Sequence, residues 1–90
     1  MAETDLAERV VDWLTDYRWE VYQEVQINSF GSIADIVAVQ NNLVWIIECK
    51  MSASLAVLEQ ANGWIPWAHF VSVAIPGRAA YNRTGYFFSY

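Results

Sequence analysis

The sequence predicts an α/β domain with a central mixed sheet flanked by helices, and three observations carry that reading. Residues 32–50 are rich in β-branched residues and alternate on either side of Asn41-Asn42. Helical periodicity brackets that stretch, at residues 5–17 before it and 53–63 after it. A short apolar run, "FVSVAI", follows the second helical segment and ends at Pro76-Gly77. With 90 residues there is material for one domain, spanning 1–90, and one core.

The elements follow in order. Thr4 and Asp5 can cap a helix, and Asp5 with Glu8 has capping-box spacing. Leu6, Val10, Trp13, Leu14 and Tyr17 then recur at helical intervals, which predicts one amphipathic helix over 5–17. Residues 19–27 alternate as a strand, with Val21, Val25 and Ile27 on one side. "NSFG" is a turn, and strands follow over 32–40 and 43–50, joined at Asn41-Asn42, a pair that tolerates positive φ. Over 53–63, Leu55, Leu58, Ala61 and Asn62 share a helical side, Ser52 or Ser54 can cap, and Gly63 marks the stop. Residues 70–75 return parallel to the hairpin by a crossover, and "GYFFSY" supplies a last edge strand.

Bulk composition narrows the function classes. The chain is 56% hydrophobic, 16% aromatic and 17% charged, which excludes disorder. Five Trp and five Tyr exceed what so small a core readily hides, so an interface is expected and a homodimer is the simplest form of it. One cysteine excludes an intramolecular disulfide and a cysteine zinc cluster, and one histidine, His69, excludes a histidine metal triad. No apolar run approaches the roughly 20 residues of a membrane helix, and Met1 leads into acidic residues rather than a signal peptide, so a cytoplasmic protein without membrane partners is expected. The net charge of −5 argues against a strong, diffuse grip on nucleic acid.

The hairpin register carries the chemistry. A turn centred on Asn41-Asn42 pairs Gln40 with Leu43 and sets Asp35 opposite Glu48, with Lys50 two residues further along the same face. That face reads Ile33, Asp35, Val37, Val39 against Val44, Ile46, Glu48, Lys50; the other reads Ala34, Ile36, Ala38 against Trp45, Ile47, Cys49. Both are largely apolar, so both should be covered. Opposed like charges destabilise a sheet by up to about 1 kcal/mol, and more where water is excluded. A divalent cation would reverse that sign, since Mg²⁺ is held by one or two carboxylates while it keeps waters and phosphate oxygens. The simpler reading, in which Lys50 neutralises one carboxylate at an exposed strand end, leaves one negative charge unexplained.

"ADIVAV" followed by "WIIECK" resembles the Asp…Glu-x-Lys core of the PD-(D/E)XK, or restriction-endonuclease-like, nuclease superfamily, in its resolvase-like and RecB-like branch. The αβββαβ order also resembles that core. The resemblance implies metal ligation by Asp35 and Glu48 with the backbone carbonyl of Cys49, and a catalytic role for Lys50. Glu8 resembles an extra acidic ligand of the resolvase-like group; its other reading is the capping-box glutamate. Gln60 with Trp64 four residues later is similar to a glutamine–aromatic pair after the third strand, against a solvated helix residue as the alternative. Ala34 stands where the family name has proline. The implied cofactor is Mg²⁺ or Mn²⁺, and the implied activity is hydrolysis of phosphodiester bonds, in DNA rather than RNA, by an endonuclease.

The remaining candidates are weaker. Glu24 is a possible further ligand; alternation groups it with Tyr22 and Gln26 and leaves open which side meets the carboxylates. Arg78 and Arg83 follow the last core strand and could contact phosphates, or be plain surface charges. Cys49 reads as a buried, inert thiol, His69 as a strand cap, and Trp13, Trp45, Trp64 and Trp67 as core or interface. Set against the nuclease is a catalytically idle nuclease-like fold that serves as a protein-interaction or accessory subunit, which the acidic balance and the aromatic excess favour.

Overall fold

The expected element order appears in the computed structural model, which describes residues 2–27, 31–52, 55–76 and 86–89. It runs α1 (Glu3–Asp16), β1 (Glu20–Gln26), β2 (Ile33–Gln40), β3 (Leu43–Cys49), α2 (Leu55–Asn62), a single 3₁₀ turn (Ile65–Trp67), β4 (Phe70–Ile75) and β5 (Tyr86–Ser89). The five strands form one mixed sheet in the order β1-β2-β3-β4-β5, with only β3 and β4 parallel. Arg78, Arg83, residues 28–30 of the segment expected to turn, Ser54 and the side chains of Leu55 and Leu58 lie outside the described residues.

Helix α1 begins two residues before the expected start. Ala2 is its N-cap, and Asp5 reaches back to accept the Ala2 N–H at 2.9 Å. Asp5 therefore stands in the first turn rather than at the cap, and Glu8 has no capping role. Leu6, Val10 and Leu14, one turn apart, are fully buried. The helix ends with Arg18 at φ 67°, where the Trp19 N–H closes on Leu14 O at 3.0 Å and the Arg18 N–H on Thr15 O at 2.9 Å. That is a Schellman closure with arginine in the position glycine usually fills.

The hairpin register is as the turn chemistry dictates. Asn41 and Asn42 take φ of 49° and 68°, and β2 pairs with β3 from Gln40↔Leu43 to Ile36↔Ile47. Helix α1 covers one face, where Leu6, Val10 and Leu14 meet Ile36, Ala38, Ile47, Cys49 and Ala74. Ala61 and Trp64, at and beyond the end of α2, cover the other with Ala34, Val37, Ile46, Val71 and Val73.

Two expectations about side need correction, and they share a cause. Ala34 packs on the α2 face although Ile36 and Ala38 pack against α1, and Val25 and Ile27 lie on the α2 face although Val21 lies on the α1 face. Alternation therefore inverts in both strands between one residue pair and the next. The inversion falls at Glu24, whose φ of 52° is left-handed and foreign to an extended strand, and at Asp35 across from it. Asp35 thus sits where β2 changes phase, not within a regular row of one face.

Candidate functional site

The change of phase sets up the site. Pairing of β2 with β3 ends at Ile36↔Ile47, and beyond it the Asp35 side chain takes over from the ladder: Oδ2 accepts the backbone N–H of Cys49 at 2.8 Å. A half-buried carboxylate thereby satisfies a backbone donor that would otherwise lie buried and unpaired. Asp35 also lines a hollow of about 170 Å³ beside α1, with Glu3, Thr4, Ala7, Gln23, Glu24 and Cys49 around it.

Glu48 is completely buried. Its Oε1 accepts the indole N–H of Trp64 at 2.5 Å and the side-chain amide of Gln60 at 3.2 Å. Its Oε2 has no hydrogen-bond partner. Burial chiefly, and then the adjoining Asp35 carboxyl, push the Glu48 pKa up to about 7, while the Trp64 N–H acts in the opposite direction. The Cys49 thiol is pushed up to about 12 by burial and then by the carboxylates of Asp35, Glu48 and Glu3. It stays a protonated, inert thiol at neutral pH.

Gly63 brings Trp64 back over Glu48. Its N–H bonds the carbonyls of Glu59 and Gln60 as α2 closes, and a Cβ there would stand 3.3 Å from Gln60 O. The Trp64 N–H then bonds Ala61 O at 3.0 Å, which tucks the ring under the end of the helix.

The structure brings Asp35, Glu48, the Cys49 peptide and Gln60 together, with Glu24 on the rim of the Asp35 hollow. Lys50 follows directly, with its backbone N–H on Ala74 O at 3.0 Å. Its ammonium, expected on the face of Glu48, pairs instead with Glu3 at the start of α1, 3.7 Å away. Glu8 is not brought to the site. It is exposed and lines a separate hollow with Asp5, Arg9 and Asp12, because it stands about half a turn from the buried Leu6 and Val10. His69 makes a structural clasp on β3: Nδ1 accepts the Val44 N–H at 3.0 Å, and its own N–H donates to Val44 O at 2.9 Å.

Two residues have roles at the site that the sequence does not assign to them. Glu3 is the acid that α1 contributes, and an earlier helix start would have put it four residues before Ala7 on the sheet-facing side. Trp64, read from the sequence as core or interface and as the aromatic of the Gln60 pair, is a hydrogen-bond donor to Glu48, a role that nothing local in the sequence states.

The donor set tests whether a divalent ion fits. Among the described residues no three His, Cys, Asp or Glu side chains form a group that could hold a metal. Two adjoining carboxylates are present, one with a buried oxygen that nothing satisfies. Hard oxygen donors in that number suit Mg²⁺ or Mn²⁺, which keep water for most of their shell, better than Ca²⁺, which takes six to eight oxygens. The residues fit such an ion. No helix among the described residues is long and apolar enough to cross a membrane. No family model matches the chain, and neither a curated protein nor a solved structure matches it.

Proposed function

We infer that this chain is a metal-dependent nuclease of the PD-(D/E)XK type, an endonuclease that hydrolyses phosphodiester bonds in DNA. The observation that carries the reading is the buried Glu48 with its unsatisfied Oε2 beside Asp35. A folding domain gains nothing from two adjoining carboxyls at 0% exposure for one of them, since burying an uncompensated polar atom costs about 1–3 kcal/mol. The αβββαβ order and the motif spacing support the same reading.

Asp35 and Glu48 would hold Mg²⁺ or Mn²⁺. Such an ion, when bound, lowers the pKa of a coordinated water and offsets charge on the phosphate. The chain's own contributions are positional and electrostatic. The Cys49 N–H holds Asp35 in place, while Gln60 and Trp64 hold Glu48. Lys50 supplies an ammonium at the end of β3. Its pair with Glu3 is half exposed and weak, so a phosphate can draw it away. With a chain this acidic, affinity for DNA comes from the ion, from a homodimer or from a basic partner.

Purified protein should nick or cut linear, nicked or branched DNA in Mn²⁺. Asp35→Ala should lower the rate by three orders of magnitude or more, on the order of 4 kcal/mol of transition-state stabilisation. Wild-type protein that leaves all these substrates intact at low salt would refute the enzyme.

One observation favours the second reading, an idle fold used for protein association. Tyr17, Trp67 and Phe70 are about half exposed. Calorimetry separates the two: Mn²⁺ binding that Asp35→Ala and Glu48→Ala abolish belongs to the nuclease, whereas no binding belongs to the association module.

A further inference from the structure

The two oxygens of Glu48 are treated unequally. Trp64 and Gln60 both donate to Oε1, at 2.5 and 3.2 Å, and Oε2 receives nothing although it is shut away from solvent. The last torsion of a glutamate is broad and turns easily, so two donors on one oxygen fix which way the other points. The donors differ in how firmly they are held. Gln60 is exposed on α2, while Trp64 is 4% exposed and packed among Ala34, Val37, Ile46, Val71 and Val73. Its backbone is tied at both ends, by Trp64 N–H to Ala61 O and by Trp67 N–H to Trp64 O at 2.9 Å. Trp64 is therefore the rigid member of the pair.

We propose that Trp64 is a positioning residue of the site, whose indole N–H pins Oε1 of Glu48 and so presents the unpartnered Oε2 to a divalent cation. This rests on the metal-site reading above. Trp64 touches neither ion nor substrate and acts through Glu48. An indole suits the task because it donates and has no acceptor lone pair, so it cannot compete for the cation. Outer partners of this kind typically change metal affinity by about 10–100-fold when removed.

Trp64→Phe keeps an aromatic ring in the core and removes the donor. Circular dichroism and the thermal midpoint check that it folds. Calorimetry should then show Mn²⁺ bound tenfold or more weakly than by wild type. Independently of any metal, the ¹⁵N-indole spectrum should contain one signal displaced downfield, lost in Trp64→Phe and moved upfield in Glu48→Gln. Adding Mg²⁺ to wild type should shift that same signal with the affinity read by calorimetry, a measurement that stands even if the phenylalanine variant does not fold. A folded Trp64→Phe that binds Mn²⁺ within twofold of wild type overturns the proposal. So does an indole signal that ignores Glu48→Gln, or one that stays still while the ion binds. If wild type binds neither ion, the metal-site reading fails and takes this proposal with it, an outcome distinct from one in which wild type and Trp64→Phe bind alike.

Discussion

The two ends of the sheet are built on opposite terms. At the hairpin end, Trp45 is ringed by Trp13, Trp19 and Phe70, with centroids 6.0, 5.4 and 6.3 Å away and planes tilted by 82°, 66° and 69°. These are the edge-to-face arrangements that aromatic quadrupoles favour. Polar atoms there find partners: the Trp45 N–H donates to Ser72 Oγ at 2.8 Å, the His69 ring accepts from Val44, and the Gln40 amide donates to Tyr17 O at 3.0 Å. At the other end stand Glu3, Glu24, Asp35 and Glu48, a left-handed Glu24, an inversion of alternation and an orphaned oxygen. One end satisfies what a fold requires. The other bears strain and charge of the kind that functional sites commonly carry.

The comparison can be broken from either side. The largest stability effect belongs to the aromatic end: Trp45→Ala should cost about 3 kcal/mol, read by urea denaturation. It should leave Mn²⁺ affinity unchanged in the folded fraction, and a parallel loss of affinity would mean that the ends are not independent.

At the acidic end, pH is the probe. The folded Glu48 pKa lies at about 7, above the 4.5 of an unperturbed carboxyl, so between those values the folded state holds a proton that the unfolded state has lost. Stability from this group is therefore complete below about pH 4.5 and declines as pH rises towards 7, by up to about 3 kcal/mol. Denaturation midpoints across that window should show the decline in metal-free protein. Glu48→Gln should flatten it, and saturating Mn²⁺ should reverse it.

The smallest effect is at the turn. Asn42, at φ 68°, is at the position where the tight-turn pattern prefers glycine, so Asn42→Gly should stabilise by a few tenths of a kcal/mol without altering the acidic end. A large loss there would mean that the turn side chain carries an interaction beyond its backbone.

What could be read from the chain follows physical range. Asn41-Asn42 fixes the register locally, and period alone separates α1 from the strands, so the order of elements and the juxtaposition of Asp35 with Glu48 were accessible. The inversion at Glu24 is not, because a left-handed glutamate has no sequence signature and its consequence appears in Val25 and its cross-strand partner Ala34. The start of α1 is not legible because Ala2 is an unremarkable cap, and that hides Glu3, whereas Glu8 enters as a site candidate only through the family resemblance. The direction of the Lys50 side chain depends on where α1 begins, and the donation by Trp64 depends on how Gly63 redirects the chain. Both are tertiary facts.

The bond from the Cys49 amide to Asp35 has a use beyond holding the hairpin base together. Because that proton is lent to an acid and not to a neighbouring strand, its exchange with deuterated solvent measures what the acid is doing. An amide whose protection rises when an ion arrives, while the rest of β3 is indifferent, would be a native gauge of occupancy that needs no label and no substrate.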